Sequence, residues 1–136
     1  MKVFELAAVA LLDGHRVLNV RKRGTGHVIL PGGKVEAGES ALETALRETA
    51  EEVRLDLDPA SLELLGDFRA APANDDADEI HCTVYVADWP VGARLRADHE
   101  IVEYEWTDLL DCADDPRQAP LLIEHVIPAL REAGRI

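Results

Sequence analysis

At 136 residues, 47% of them hydrophobic and 30% charged, the chain has the size and balance of one folded domain with a real core, which excludes disorder. Its formal net charge of -13 repels nucleic acid polymers and anionic membrane, so an anionic small molecule is admissible only where local cations or a metal reverse the field. No stretch reaches the ~18 apolar residues of a membrane span. Cys82 and Cys112 lie far apart and in no CxxC pair, which suits reduced thiols in a cytoplasmic protein; a single disulfide stays open as the alternative.

The chain opens on an apolar run, Leu6–Leu12, in which Ala8-Val9-Ala10 has the look of a signal-peptidase site. Glu5 interrupts it and the apolar part is too short for a secretion signal, so the run reads as a buried strand. Val3–Leu12 and Arg16–Arg23 are two strand-like runs joined by Asp13-Gly14, a tight hairpin signal. His27–Leu30 is a short extended piece, and Pro31-Gly32-Gly33 predicts an irregular loop. Ser40-Ala41-Leu42-Glu43 fits a capping box and starts a helix that runs to Val53 or Arg54. Beyond Pro59 come strands at Leu62–Arg69, Ile80–Ala87 and Val102–Thr107, separated by the polar loop 72–78 and a connector over 90–98. A closing helix spans Pro120–Glu132, with Leu121, Leu122, His125, Val126, Ala129 and Leu130 along one face. The expected architecture is a single mixed α/β domain over residues 1–136.

At about 100° per residue, Leu42, Ala45, Leu46, Thr49 and Val53 form the core stripe of the first helix. Glu48, Glu51 and Glu52 fall together on another face, where like charges at i, i+4 cost roughly 0.2–0.5 kcal/mol per pair. Arg47 reaches Glu43 or Glu51 but does not neutralise the group. Two readings follow. One is a solvated acidic face; the other is a site for a hard divalent cation such as Mg²⁺, which takes oxygen ligands and shares its shell with water and phosphate.

The pattern Gly33-x5-Glu39-x7-Arg47-Glu48-Thr49-x-Glu51-Glu52-x-Arg54-Leu55 resembles the Nudix box, G-x5-E-x7-R-E-U-x-E-E-x-G-U, with U aliphatic. Six of its seven fixed glycine or polar identities are met at the right spacing. The order of hairpin, loop, helix, strands and final helix is similar to a short MutT-like Nudix domain over nearly the whole chain. The resemblance implies an α/β/α sandwich with a mixed sheet. Two positions depart: Thr49 stands for an aliphatic residue, and Arg54 for the glycine that leaves the helix in a left-handed conformation, leaving that exit geometry open.

The resemblance implies that Glu48, Glu51 and Glu52 bind Mg²⁺, with Mn²⁺ as a substitute, and that Glu48 or Glu52 also lies near the attacking water. Gly33 would let the backbone approach and lend a carbonyl, while Glu39 and Arg47 would pair to hold the loop on the helix. A later loop often adds a carboxylate in such domains; Glu100 is the candidate, with Glu103 and Asp98 as rivals. From the residues themselves, Arg21, Lys22 and Arg23 are the densest basic run. Arg21 and Arg23 share one strand face and Lys22 takes the other. Arg21, Arg23 and Lys34 are candidate phosphate contacts, with solubilising surface charge as the alternative. Gln118 lies where related proteins place a base-reading amide. His81 and His99 are candidates for a pocket wall, and His125 for a packed residue. The expected reaction is Mg²⁺-dependent hydrolysis of a nucleoside diphosphate derivative, foremost a (d)NTP to (d)NMP and pyrophosphate. A nucleotide sugar or ADP-ribose is the alternative substrate, and a non-catalytic nucleotide-binding domain the alternative class. A homodimer is compatible with this reading.

Overall fold

The computed structural model describes residues 1–96 and 100–136, so Asp98, His99 and the end of the 90–98 connector lie outside the described residues. Strand β1, Val3–Asp13, organises the sheet. It pairs in parallel with β5, Glu79–Asp88, from Val3↔Glu79 to Leu12↔Asp88. On its other side it pairs antiparallel first with β2, Arg16–Lys22, and then with β3, Gly32–Lys34. β4, Glu63–Ala70, flanks β5, and β6, Ile101–Asp108, flanks β2, both antiparallel. The order is β4-β5-β1-β2-β6 with β3 beside β1: a mixed six-stranded sheet.

Successive side chains of a strand point to opposite faces, and β1 buries both sets. Ala7, Val9 and Leu11 pack with Ala45 and Val53 of helix α1, Ala41–Val53. Ala8, Ala10 and Leu12 pack with Leu122, Val126 and Leu130 of the C-terminal helical segment. The continuous apolar run is thus the centre of an α/β/α sandwich, as a strand covered on both faces should be. Cys82 and Cys112 are free and buried, and no described helix is long and apolar enough to cross a membrane.

The hairpin turns at Gly14, whose φ is 61°. α1 begins at the capping box, where Glu43 N–H donates to Ser40 Oγ at 3.1 Å and Ser40 N–H donates to Glu43 Oε1 at 2.9 Å. Thr49 is buried and donates its hydroxyl to the Ala45 carbonyl at 2.7 Å, which satisfies the polar atom where an aliphatic residue is usual.

Two expectations need correction. Gly32–Lys34 is not an irregular loop but a strand, because Gly32 carries no side chain: a Cβ there would lie 2.8 Å from Ala8 Cα. The closing helix is not uniform either. A π-helical segment, Leu121–Val126, precedes α2, Ile127–Glu132. Pro128 has no N–H to offer the Glu124 carbonyl, and Ile127 N–H instead reaches back to the Leu122 carbonyl.

Arg54 ends α1 at φ 56°, ψ 41°, so the left-handed exit is kept without its glycine. An L-residue pays roughly 1 kcal/mol or more for this conformation. Arg54→Gly should therefore raise thermal stability, by up to about 1 kcal/mol; an unchanged or lower Tm would show that the contacts of the arginine side chain outweigh the strain.

Candidate active site

The functional side chains come together because β3 is squeezed between β1 and α1. A Cβ on Gly33 would stand 2.5 Å from Glu48 Cδ, so the carboxylate lies directly on the glycine backbone. One turn on, Glu52 is 3% exposed; its Oε1 accepts the Gly32 N–H at 2.9 Å, and Lys22 Nζ is 3.2 Å from Oε2. That ion pair lacks hydrogen-bond geometry, and Oε2 is left as a buried oxygen with no hydrogen-bond partner.

Arg47 ties the loop to the helix. Its Nε donates to Glu39 Oε2 at 2.8 Å and its Nη2 to Glu39 Oε1 at 3.1 Å, a two-point contact suited to a guanidinium. Nη1 reaches Glu48 Oε1 at 2.8 Å and Glu51 Oε1 at 3.3 Å, and Nη2 also reaches the Lys34 carbonyl. The expected Glu39–Arg47 pair is present, and Arg47 also sits among the acidic side chains.

The charges follow from this packing. Burial raises the Glu52 carboxyl to about 7, against the pull of Lys22 and the Gly32 N–H. Burial also raises Glu48, partly offset by Arg47. Burial works against the charge of Lys22, yet Glu52, Glu48 and Glu100 together hold its pKa above the usual value. The Arg47 and Thr44 hydrogen bonds lower Glu39 to about 2.

A cavity of about 460 Å³ opens against these groups. Glu48, Glu51, Gly33, Lys34, Lys22 and Glu100 line it. Glu100 is set in place by its carbonyl, which accepts the Arg23 N–H at 2.8 Å. Paired residues of neighbouring strands share a face, so Leu6, Ala8, Ile80 and Cys82 carry the wall round to the α2 side, where Leu121 and Leu122 complete it. The cavity is charged where it meets α1 and largely apolar beyond.

Other sequence candidates lie elsewhere. Arg21 faces Glu103 across β2 and β6 at 2.9 Å and donates to the Thr25 carbonyl, so neither Arg21 nor the rival Glu103 lines the cavity. Arg23 does not line the cavity either; its backbone N–H holds Glu100, which does. Gln118 is 5% exposed and turned inward: it accepts from Asn19 at 2.9 Å and donates toward Glu105, Thr107 and Asp115. Its amide is used up in that network, which Arg117 closes onto Glu105 and Asp115. His81 pairs with Glu5 and His125 stacks on Phe68 at 5.8 Å, away from the cavity. Lys22 is the cation that the choice of Arg21 and Arg23 passed over. Alternation in β2 puts it on the face of Leu18 and Val20, toward α1, and that pattern was the signal.

The donor set fits a hard divalent cation: carboxylate oxygens, a glycine backbone with nothing between it and Glu48, and one buried oxygen without a hydrogen bond. Among the described residues no three acidic, His or Cys side chains converge on one point in this conformation. Arg47 stands between Glu48 and Glu51, and Lys22 against Glu52, which accounts for the spread.

This sandwich, with a box helix lying on a glycine strand, is the architecture of a phosphoric-anhydride hydrolase. The chain belongs to the NUDIX domain family, which it matches over residues 4–128. Its structure is similar to the MutT protein of Methanosarcina mazei Go1, with TM-score 0.80, 20% identity, and coverage of 97% of this chain and 96% of that one. The NUDIX domain of Shewanella oneidensis NrtR complexed with ADP ribose gives TM-score 0.73 and 22% identity over 98% of this chain and 89% of that chain. A bifunctional NMN adenylyltransferase/ADP ribose pyrophosphatase of Francisella tularensis, complexed with AMP and a Mn ion, gives 0.69 and 18% over 98% of this chain and 42% of that longer one.

Glu52 binds its proton more tightly in the fold than in the unfolded chain, so folding stability falls as pH rises from about 4.5 to about 7. In metal-free buffer the stability of Glu52→Gln relative to the parent should therefore improve across that window; parallel pH profiles would refute the shift. Arg47→Ala should lower Tm as well as activity, because Glu39 and Glu48 lose their shared cation. An unchanged Tm would restrict Arg47 to the substrate.

Proposed function

We propose that the protein cleaves the pyrophosphate linkage of a nucleoside diphosphate derivative, foremost a (d)NTP to (d)NMP and pyrophosphate, and that it requires Mg²⁺, with Mn²⁺ as a substitute. The observation that supports this reading is the division of the cavity: acidic and basic groups meet at the α1 end, and an apolar wall extends from it. A polyphosphate suits the first part and a nucleoside the second.

Glu48, Glu51 and Glu52 would hold the metal, with the Gly33 carbonyl and Glu100 as further ligands. Bound there, it would neutralise phosphate oxygens and make a bound water more acidic. The protein's own groups have separate tasks. Lys22 and Lys34 line the cavity and would meet phosphate oxygens. Arg47 orients Glu48 and Glu51 and keeps the loop on the helix. Attack of a water oxygen on phosphorus breaks the P–O anhydride bond, and the water proton must go to a base. Glu48 and Glu52 are the candidates, each a carboxylate able to accept it.

A nucleotide sugar or ADP-ribose is the second reading, favoured by the ADP ribose bound to the similar Shewanella domain. The intact set Glu48, Glu51 and Glu52 speaks against a domain that only binds. Assay of a nucleotide panel with Mg²⁺ separates these readings. The expected products are nucleoside monophosphate and pyrophosphate, with turnover lost in excess chelator. Full turnover in chelator would overturn the metal requirement, and no turnover of any member would leave the binding reading.

A further inference from the structure

Asp75 lines the cavity from the loop between β4 and β5, beside Ala71 and Ala73. The other charged lining residues all come from β2, the β3 loop, α1 and the segment entering β6. Asp75 therefore brings charge to the cavity from a separate element, at its apolar end. The loop leaves β4 at Ala70, the partner of Ile80, and Asp75 lines the same cavity as Ile80 and Cys82.

The loop is fastened on both sides of this residue. Asn74 accepts from the His27 N–H and donates to the His27 carbonyl, each at 3.3 Å, which joins it to the segment that leads into Ile29 and Leu30 of the same cavity. On the other side the Lys2 N–H donates to Asp78 Oδ2 at 2.6 Å, and the Asp78 N–H donates back to the Lys2 carbonyl at 2.8 Å. Lys2 Nζ lies 3.6 Å from Asp76. A carboxylate held between two fastenings is presented at a defined place, which recognition requires.

We infer that Asp75 is a specificity-determining residue that reads the nucleoside half of the substrate through a pair of adjacent hydrogen-bond donors. The inference rests on the proposed reaction, whose phosphates occupy the opposite end of the cavity. An ionised carboxylate only accepts hydrogen bonds. Two neutral groups on a nucleotide offer it paired donors: the N1–H and 2-amino edge of guanine, and the 2′,3′-diol of ribose. Adenine and cytosine set an acceptor nitrogen beside their amino group, and uracil and thymine flank their one N–H with two carbonyls. Against Asp75 those edges place lone pair against lone pair and leave a desolvated group without a partner. A site built to bond a substrate group rejects analogues lacking it more sharply than an apolar wall can.

The test compares dGTP, dITP, dATP, dTTP, GTP and ATP as substrates, with binding of their non-hydrolysable α,β-imido analogues measured alongside, in the parent, Asp75→Ala and Asp75→Asn. Reading of guanine predicts that kcat/KM for dGTP exceeds that for dITP and dATP by about 10- to 100-fold, the worth of a hydrogen bond to a charged acceptor. Asp75→Ala should erase the ratio mainly through KM, because the contact is made equally in ground and transition states. Asp75→Asn, which adds a donor, should move preference toward adenine. Reading of ribose predicts instead that GTP exceeds dGTP and ATP exceeds dATP by a similar factor, and that Asp75→Ala removes both. A flat parental profile, or an Asp75→Ala loss equal for every nucleotide, overturns the assignment. Asp75-dependent selection in binding without any hydrolysis would sustain it while refuting the proposed reaction.

Discussion

The contact between the buried Glu52 carboxylate and the Gly32 N–H is the constraint on which the rest of the site depends. An ionised carboxylate at 3% exposure costs several kcal/mol to desolvate. The chain recovers part of this through the backbone donor and Lys22. The arrangement requires β3 to lie flush against both β1 and α1, which is possible only because Gly32 and Gly33 carry no side chains. Once β3 is there, Glu48 sits on the Gly33 backbone, Lys34 leaves on the opposite face, and the cavity forms around the strand between them.

The same constraint explains the electrostatics. A protein of net charge -13 that presents acidic side chains to a cavity would repel an anionic ligand unless cations stood among them. Lys22 and Arg47 do so here, one against Glu52 and the other between Glu48 and Glu51. Both are tethered by elements outside the acidic turn: Lys22 by the end of β2, and Arg47 by Glu39 and the Lys34 carbonyl in the loop. The carboxylates are thus held in position by intramolecular cations, and the cost of crowding them is carried by the fold.

Much of this was legible in the residues. The continuous apolar run of β1, the Gly14 hairpin and the Ser40–Glu43 capping box specify local geometry through short-range sterics and hydrogen bonds, which sequence pattern reads well. The box motif, fixed by identity and spacing, pointed to Glu48, Glu51, Glu52, Glu39 and Arg47; Arg47 joins Glu39, Glu48 and Glu51, and Glu52 lies one turn on against Gly32. Glu100, named as the later-loop carboxylate that the resemblance implies, lines the cavity.

By itself, then, the sequence determined the class of fold, the helix that carries the carboxylates and the family. Those depend on local periodicity and on a run of residues within a few turns of one another. Only the tertiary structure decided which long-range partners each side chain would meet. Gln118 looks like a free amide at a helix entrance until β2 and β6 bring Asn19 and Thr107 against it. Arg21 looks like a phosphate contact until the β2–β6 register sets it opposite Glu103. Lys22 and Asp75 became part of the cavity through strand pairing and loop fastening between residues dozens of positions apart. Such choices are set by sheet register and side-chain packing, which a one-dimensional pattern does not contain.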